Sequence, residues 1–258
     1  MNFNETNTVR EIVVNIPAST RLFEGLGIDY CCGGQRPLIE ACRKANIQVS
    51  EVLGSLEKLI QTNQDTQERN WQNEPLTVLT SYIVEKHHVF TKAELPRIEK
   101  LLAKVVTVHG QNHPELISLI ELFDGLNQEL GPHLLKEEQV LFPYIERMEE
   151  AFITKRGIQP PFFGTVKNPV RMMMEHDSAG DVLAAMHDLT NGYQTPPDVC
   201  ISYQTLYSAL EAFEADLHQH IHLENNILFP RAEVMERAVE PIWQTNSSDS
   251  NGHQCFGH

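Results

Sequence analysis

No uninterrupted apolar run in this 258-residue chain approaches the roughly 18 residues that a membrane-crossing helix needs, so a helical membrane protein is excluded. The start, MNFNETNTVREIV, lacks a basic segment followed by an apolar one, and the expected compartment is the cytoplasm. Positive charge is scarce: 20 Lys and Arg stand against 35 Asp and Glu, for a formal charge of -15. With a pI near 5.2 and no local basic patch, such a chain repels phosphate backbones, which argues against nucleic-acid binding. Cysteine is also sparse. Five residues, Cys31, Cys32, Cys42, Cys200 and Cys255, are an odd number without the paired spacing of a structural zinc site, and reduced thiols fit better than disulfides. Period-two alternation is missing from the large C-terminal region, which leaves helices as the building material.

Against these absences stand ordinary globular composition, 41% hydrophobic and 21% charged, and twelve histidines. Residues 1–60 read as a small helical N-terminal unit, with helical spacing at Val9–Asn15, Thr20–Leu26, Leu38–Ala45 and Glu51–Ile60 around the glycine-punctuated turn GIDYCCGGQRP. Residues 61–74, QTNQDTQERNWQNE, are a polar linker. Residues 75–240 carry four long amphipathic patterns, from Leu76 to about Val108, Glu115 to about Glu149, Pro169 to about Leu189 and Asp198 to about Val239. An all-α fold follows, an up-down four-helix bundle preceded by the small helical unit. The tail, residues 241–258, reads as disordered and contains His253, Cys255 and His258. Gly131-Pro132 either aims the following histidine or splits its helix.

Two stretches of the bundle are copies of one another: HLLKEEQVLFP from His133 and HIHLENNILFP from His220. Each sets a Glu four residues after a His, on one helical face, so that an imidazole nitrogen and a carboxylate reach one ion together. Their apolar stripes are Leu126, Leu130, Leu134, Val140 and Leu141 in one copy and Phe213, Leu217, Ile227 and Leu228 in the other, and both His-Glu pairs face the core. His218 and His222 fall on the opposite face, towards solvent. His176 points inward beside Ala179 and Gly180; His187 shares its stripe but lies roughly 16 Å further along the axis.

His87 and His88 are adjacent, and the local pattern allows either. The duplication selects between them. His133 and His220 are 87 positions apart, as are Glu137 and Glu224, while His88 and His176 are 88 apart. Two homologous helix pairs thus each supply a single His and a His-x-x-x-Glu, with His87 remaining the alternative to His88.

A lone inward His is ordinarily a satisfied core residue. Four inward imidazoles and two inward carboxylates are different, because buried charges cost several kcal/mol each unless paired or ligating a cation. The donors His88, His133, Glu137, His176, His220 and Glu224 exceed a tetrahedral zinc site and include no thiolate. Two His per metal with Glu137 and Glu224 bridging describe a centre of two non-haem iron ions per chain, oxo- or hydroxo-bridged, with di-manganese allowed by the same ligand types. O₂ or nitric oxide could occupy the open coordination positions.

Taken with IDYCCGG, these motifs resemble the iron-sulfur cluster repair di-iron proteins (the RIC family, ScdA or YtfE), over roughly residues 8 to 236. The bundle motifs alone resemble hemerythrin; the DYCCGG segment narrows the match. The resemblance implies a hemerythrin-like bundle behind an ScdA-type domain, the same six metal ligands, and a functional cysteine pair at Cys31 and Cys32. It implies repair of iron-sulfur proteins damaged by nitric oxide or oxidants, in the cytoplasm, as a homodimer. Iron donation and nitric oxide reduction both remain open as mechanisms. Adjacent cysteines in an exposed loop suit transfer better than holding the core metals. The rival reading is a hemerythrin-like protein that binds or senses O₂, nitric oxide or iron without repair. A ferritin-like oxidase would need Glu-x-x-His pairs and more carboxylates than are present.

Overall fold

The computed structural model describes residues 3–62, 70–156 and 169–249, so the end of the tail with His253, Cys255 and His258 lies outside the described residues. They form two compact units, Met1–Glu74 with His218–Ile227, and Pro75–Leu217 with Leu228–His258. Among the described residues there is no strand, only an isolated bridge between Thr8 and Pro37.

In the first unit, helix α1 (Val9–Asn15) starts at a capping box. Thr8 Oγ1 accepts from the Glu11 backbone N–H, and the Glu11 carboxylate accepts from that of Thr8, which satisfies donors every helix start leaves free. Helices α2 (Ser19–Gly25), α3 (Leu38–Lys44) and α4 (Val49–Thr62) follow. They bury Val9, Ile12, Val13, Phe23, Leu38, Val52 and Leu56. The turn between α2 and α3 needs its glycines: Gly27 has φ +63°, and a Cβ on Gly34 would meet Asn226 Oδ1 at 2.6 Å.

From Leu76 onward the chain forms four helical runs, of which the fourth contributes His218–Ile227 to the first unit. The first is α5 (Leu76–Tyr82), a π-helical turn Ile83–His88 and α6 (Val89–His109). The second is α7 (Glu115–Lys136), a π-helical turn Glu137–Leu141 and α8 (Phe142–Thr154). The third is α9 (Pro169–Leu189), and the fourth α10 (Ile201–His222), a π-helical turn Leu223–Leu228 and α11 (Phe229–Asp249). Helix α5 lies against α8 and α6 against α7, so the first two runs are antiparallel; α7 also contacts α9, and α8 contacts α11. Apolar residues at helical spacing drive this packing, among them Leu79, Ile98, Leu102, Leu119, Phe123, Leu183, Leu210 and Phe213. Glu149, reaching from α8, accepts from the Leu76 and Thr77 backbone N–H groups at 2.7 and 2.9 Å and caps α5.

Several expectations give way here. Pro132 sits inside α7 without ending it; it removes one backbone donor, and the helix continues into the π-helical turn. Val140 is exposed and Leu141 half-buried, with Phe142 taking the core position. The wider π-helical turn inserts an extra residue into the repeat and rotates the stripe beyond it. His187 is exposed, its Nδ1 3.3 Å from Glu214, while Met186 faces inward. The backbone stays helical through Asp249, beyond the Pro241 start of the disorder read from composition, with Pro241 removing one backbone donor inside α11.

Candidate metal centre

Each π-helical turn carries a proposed ligand: His88 closes the first, Glu137 opens the second and Glu224 lies in the third. Such turns widen the backbone spacing and re-aim side chains, and they recur at functional sites. His176 comes from the regular helix α9.

All six donors are buried, and Glu137 and Glu224 are fully so. Ligand atoms of His88, Glu137, His220 and Glu224 lie within 4.8 Å of one another, and those of His133, Glu137, His176 and Glu224 do likewise. Both carboxylates belong to both groups. His133 Nε2 is 3.1 Å and His88 Nε2 3.5 Å from Glu137 oxygens, and His220 Nε2 is 3.1 Å from Glu224. Nε2 of His176 meets Nε2 of His133 at 3.0 Å. Two donors that share an ion at about 2.1 Å each stand about 3 Å apart, so these spacings suit ligand edges. Neither oxygen of Glu137 accepts a hydrogen bond although both are buried. A carboxylate so placed needs a cation. The donor set and the orphaned oxygens therefore fit a bound metal.

His87 is not part of either group. Its Nδ1 sits 3.0 Å from Asp216 Oδ1, beside the ring of Tyr82. One residue along a helix turns a side chain by about 100°, which separates these neighbours.

Sequence reasoning missed Glu138 and Glu175, which orient the ligands. His88 Nδ1 lies 2.8 Å from Glu138, which Lys92 also grips at 2.5 Å; His133 Nδ1 lies 2.7 Å from Glu175, held by Lys136 at 2.8 Å. A carboxylate on Nδ1 fixes the tautomer, presents the Nε2 lone pair to a bound metal and raises its basicity. Burial pushes the Glu138 carboxyl up, but the bonds from Lys92 and His88 outweigh it and hold it below its ordinary range. Glu175 is shifted the same way, with burial opposed by His133 and Lys136. The signal was present as a Glu directly after Glu137 and another directly before His176, each with a Lys within helical reach of a ligand. Glu175→Gln keeps the shape but loses the charge; iron affinity, measured by competition with a chelator, is expected to fall roughly 10- to 100-fold.

The cysteine pair and the second ligand stretch meet inside the first unit. Asn225, the neighbour of Glu224, donates to the Cys31 carbonyl at 3.3 Å, Asn226 donates to that of Tyr30 at 2.9 Å, and Arg10 donates to the Asn226 carbonyl. His222 is buried, contrary to its expected exposure: its ring packs on Tyr30 at 5.5 Å and its Nδ1 accepts from Asn226. Burial, then the charge of Arg10, pushes that imidazole down to about 4. His218 is half-buried. Cys31 is buried rather than exposed, with its Sγ 3.7 Å from that of Cys32 and 3.5 Å from Asp29. The bond to Cys32, then burial, drives its thiol pKa well up. Cys32 is the more accessible thiol. Asp29, Cys31 and Cys32 group closely enough to hold a metal ion as well.

A helical bundle that gathers buried His and Glu donors from four runs is a cation-binding protein of the hemerythrin type. Residues 79–232 match the hemerythrin HHE cation binding domain family, and residues 5–60 match ScdA_N, described as a domain of unknown function. The chain is 34% identical over 222 residues to a probable iron-sulfur cluster repair protein of Haemophilus influenzae, covering 86% of this chain and 94% of that one. It is 34% identical over 223 residues to iron-sulfur cluster repair protein YtfE of Pectobacterium atrosepticum, and 35% over 222 to YtfE of Yersinia pseudotuberculosis, with the same coverage. The chain belongs to this iron-sulfur cluster repair family.

Proposed function

We propose that this chain holds two non-haem iron ions and repairs iron-sulfur clusters damaged by nitric oxide or oxidants. The observation that carries the reading is the pair of buried donor groups sharing Glu137 and Glu224. His88 and His220 would complete one iron site, His133 and His176 the other, and the two carboxylates would bridge them. The bound ions would supply exchangeable iron and open positions for a small ligand such as nitric oxide or O₂. Glu138 and Glu175 hold the ligating imidazoles in one tautomer, and the burial of all six donors excludes bulk water.

Cys31 and Cys32 serve the target protein in this reading. Cys32 is the thiol that a damaged partner reaches, and Cys31, 3.7 Å behind it, is the second sulfur. Asn225 links the backbone of this pair to the neighbour of Glu224. Cys31, Cys42 and Cys200 are thiols outside any disulfide, which suits a reducing cytoplasm, and among the described residues no helix is long and apolar enough to cross a membrane. A homodimer is part of the proposal. Mixing a nitric-oxide-damaged iron-sulfur dehydratase with the iron-loaded protein is expected to restore its activity, while the metal-free protein does not. Equal recovery from both forms would remove repair and leave the rival, a hemerythrin-like binding protein.

A further inference from the structure

Cys200, remote from the metal centre, has surroundings unlike those of the other thiols. It is exposed and stands immediately before α10, where its carbonyl accepts from the backbone N–H groups of Tyr203 and Gln204. From the end of α6, His109 places Nε2 3.2 Å from the Cys200 Sγ. That imidazole is itself positioned, edge-on to the ring of Tyr203 at 5.5 Å and against His113 at 6.1 Å. His113 is buried; its Nδ1 lies 3.1 Å from Glu115, while Nε2 has no hydrogen-bond partner and faces Asp198, two residues before the thiol, at 3.6 Å. Lys104 donates to the hydroxyl of Ser202. The surroundings thus combine an imidazole aimed at sulfur with a helix start beside an exposed thiol.

We propose that Cys200, paired with His109, is a reactive thiol that forms mixed disulfides with low-molecular-weight disulfides. Three effects favour its thiolate. The imidazole N–H donates to sulfur, the helix N-terminus stabilises negative charge, and exposure leaves sulfur open to attack an incoming group. The hydrogen bond from His109, followed by the backbone N–H groups of Tyr203 and Ser202, brings the thiol down to about 7. In the reaction the Cys200 thiolate attacks one sulfur of the small disulfide, that S–S bond breaks, and a new S–S bond joins Cys200 to the attacked sulfur. The departing thiolate takes a proton from water or from the His109 imidazolium. The small disulfide is the oxidant, and no other redox partner is needed.

Along one helical run His109 is 21 residues from His88, or about 30 Å at 1.5 Å per residue. Modification of Cys200 therefore leaves the metal ligands untouched, and Cys200→Ser is expected to keep full iron content. The test incubates the full-length iron-loaded protein with glutathione disulfide across pH 6 to 9 and follows the adduct at the Cys200 peptide by mass spectrometry. The initial rate is expected to rise with pH to a plateau with its midpoint near 7. His109→Gln is expected to move that midpoint towards the free-thiol value of about 8.5 and to slow the reaction at pH 7 about three- to fivefold, since the thiolate fraction falls more than its nucleophilicity rises. A midpoint of 8.5 or above in the unaltered protein overturns the proposal, whatever the variant does. So does an unchanged rate in His109→Gln.

Discussion

Replacing Glu137 with Ala is expected to empty both iron positions, whereas His176→Ala empties only one. Glu137 is fully buried and belongs to both donor groups, while His176 belongs only to the group with His133. In the proposed two-iron centre, losing Glu137 would remove a ligand and a negative charge from both ions at once, leaving Glu224 as the one charged donor among neutral imidazoles. Iron in the Glu137→Ala protein is expected to fall at least tenfold from about two per chain, and His176→Ala to retain about one, as read by elemental analysis after gel filtration. If Glu137→Ala kept one iron per chain, the carboxylate would serve a single ion and the bridged arrangement would be wrong. One zinc or none in the unaltered protein would remove the iron reading altogether.

The second large effect is on stability. Donors buried as these are, including Glu137 oxygens that accept no hydrogen bond, are costly to hold together without a cation. Metal that binds the folded chain and not the unfolded one stabilises it by about 2.7 kcal/mol per site at a hundredfold excess over Kd, or about 5 kcal/mol for two sites. At the 2–4 °C per kcal/mol typical of chains this size, stripping the metal should lower Tm by roughly 10–20 °C, and adding iron(II) anaerobically should restore it. Scanning calorimetry on the chelated and reloaded protein measures this. A change under about 2 °C would mean that the packed helices hold the donors in place without help from the ions.

The fold was legible because helical periodicity over long segments is a strong signal. The starts of α5, α7 and α9 fall where the apolar patterns begin, at Leu76, Glu115 and Pro169. The candidate donors were legible for a different reason: two copies of one motif singled out, among twelve histidines, the four that the structure groups with Glu137 and Glu224, with His88 rather than His87 among them. What escaped were consequences of tertiary contact. Regular α-helical spacing carried through a π-helical turn assigned Val140 to the core, and a turn with one more residue exposes it. Facing rules on a single helix sent His222 to solvent, since they carry no information about Tyr30, almost two hundred residues away in sequence.

By itself, the sequence determined the helices and the two repeated halves and singled out the candidate donors, because periodicity and motif spacing are local properties of the chain. Only the tertiary structure decided that Glu138 and Glu175 reach the imidazoles and that Cys31 lies behind Cys32. Those facts depend on side-chain distances of 2.7 to 3.7 Å, and such distances are set by how the helices pack and where their turns fall.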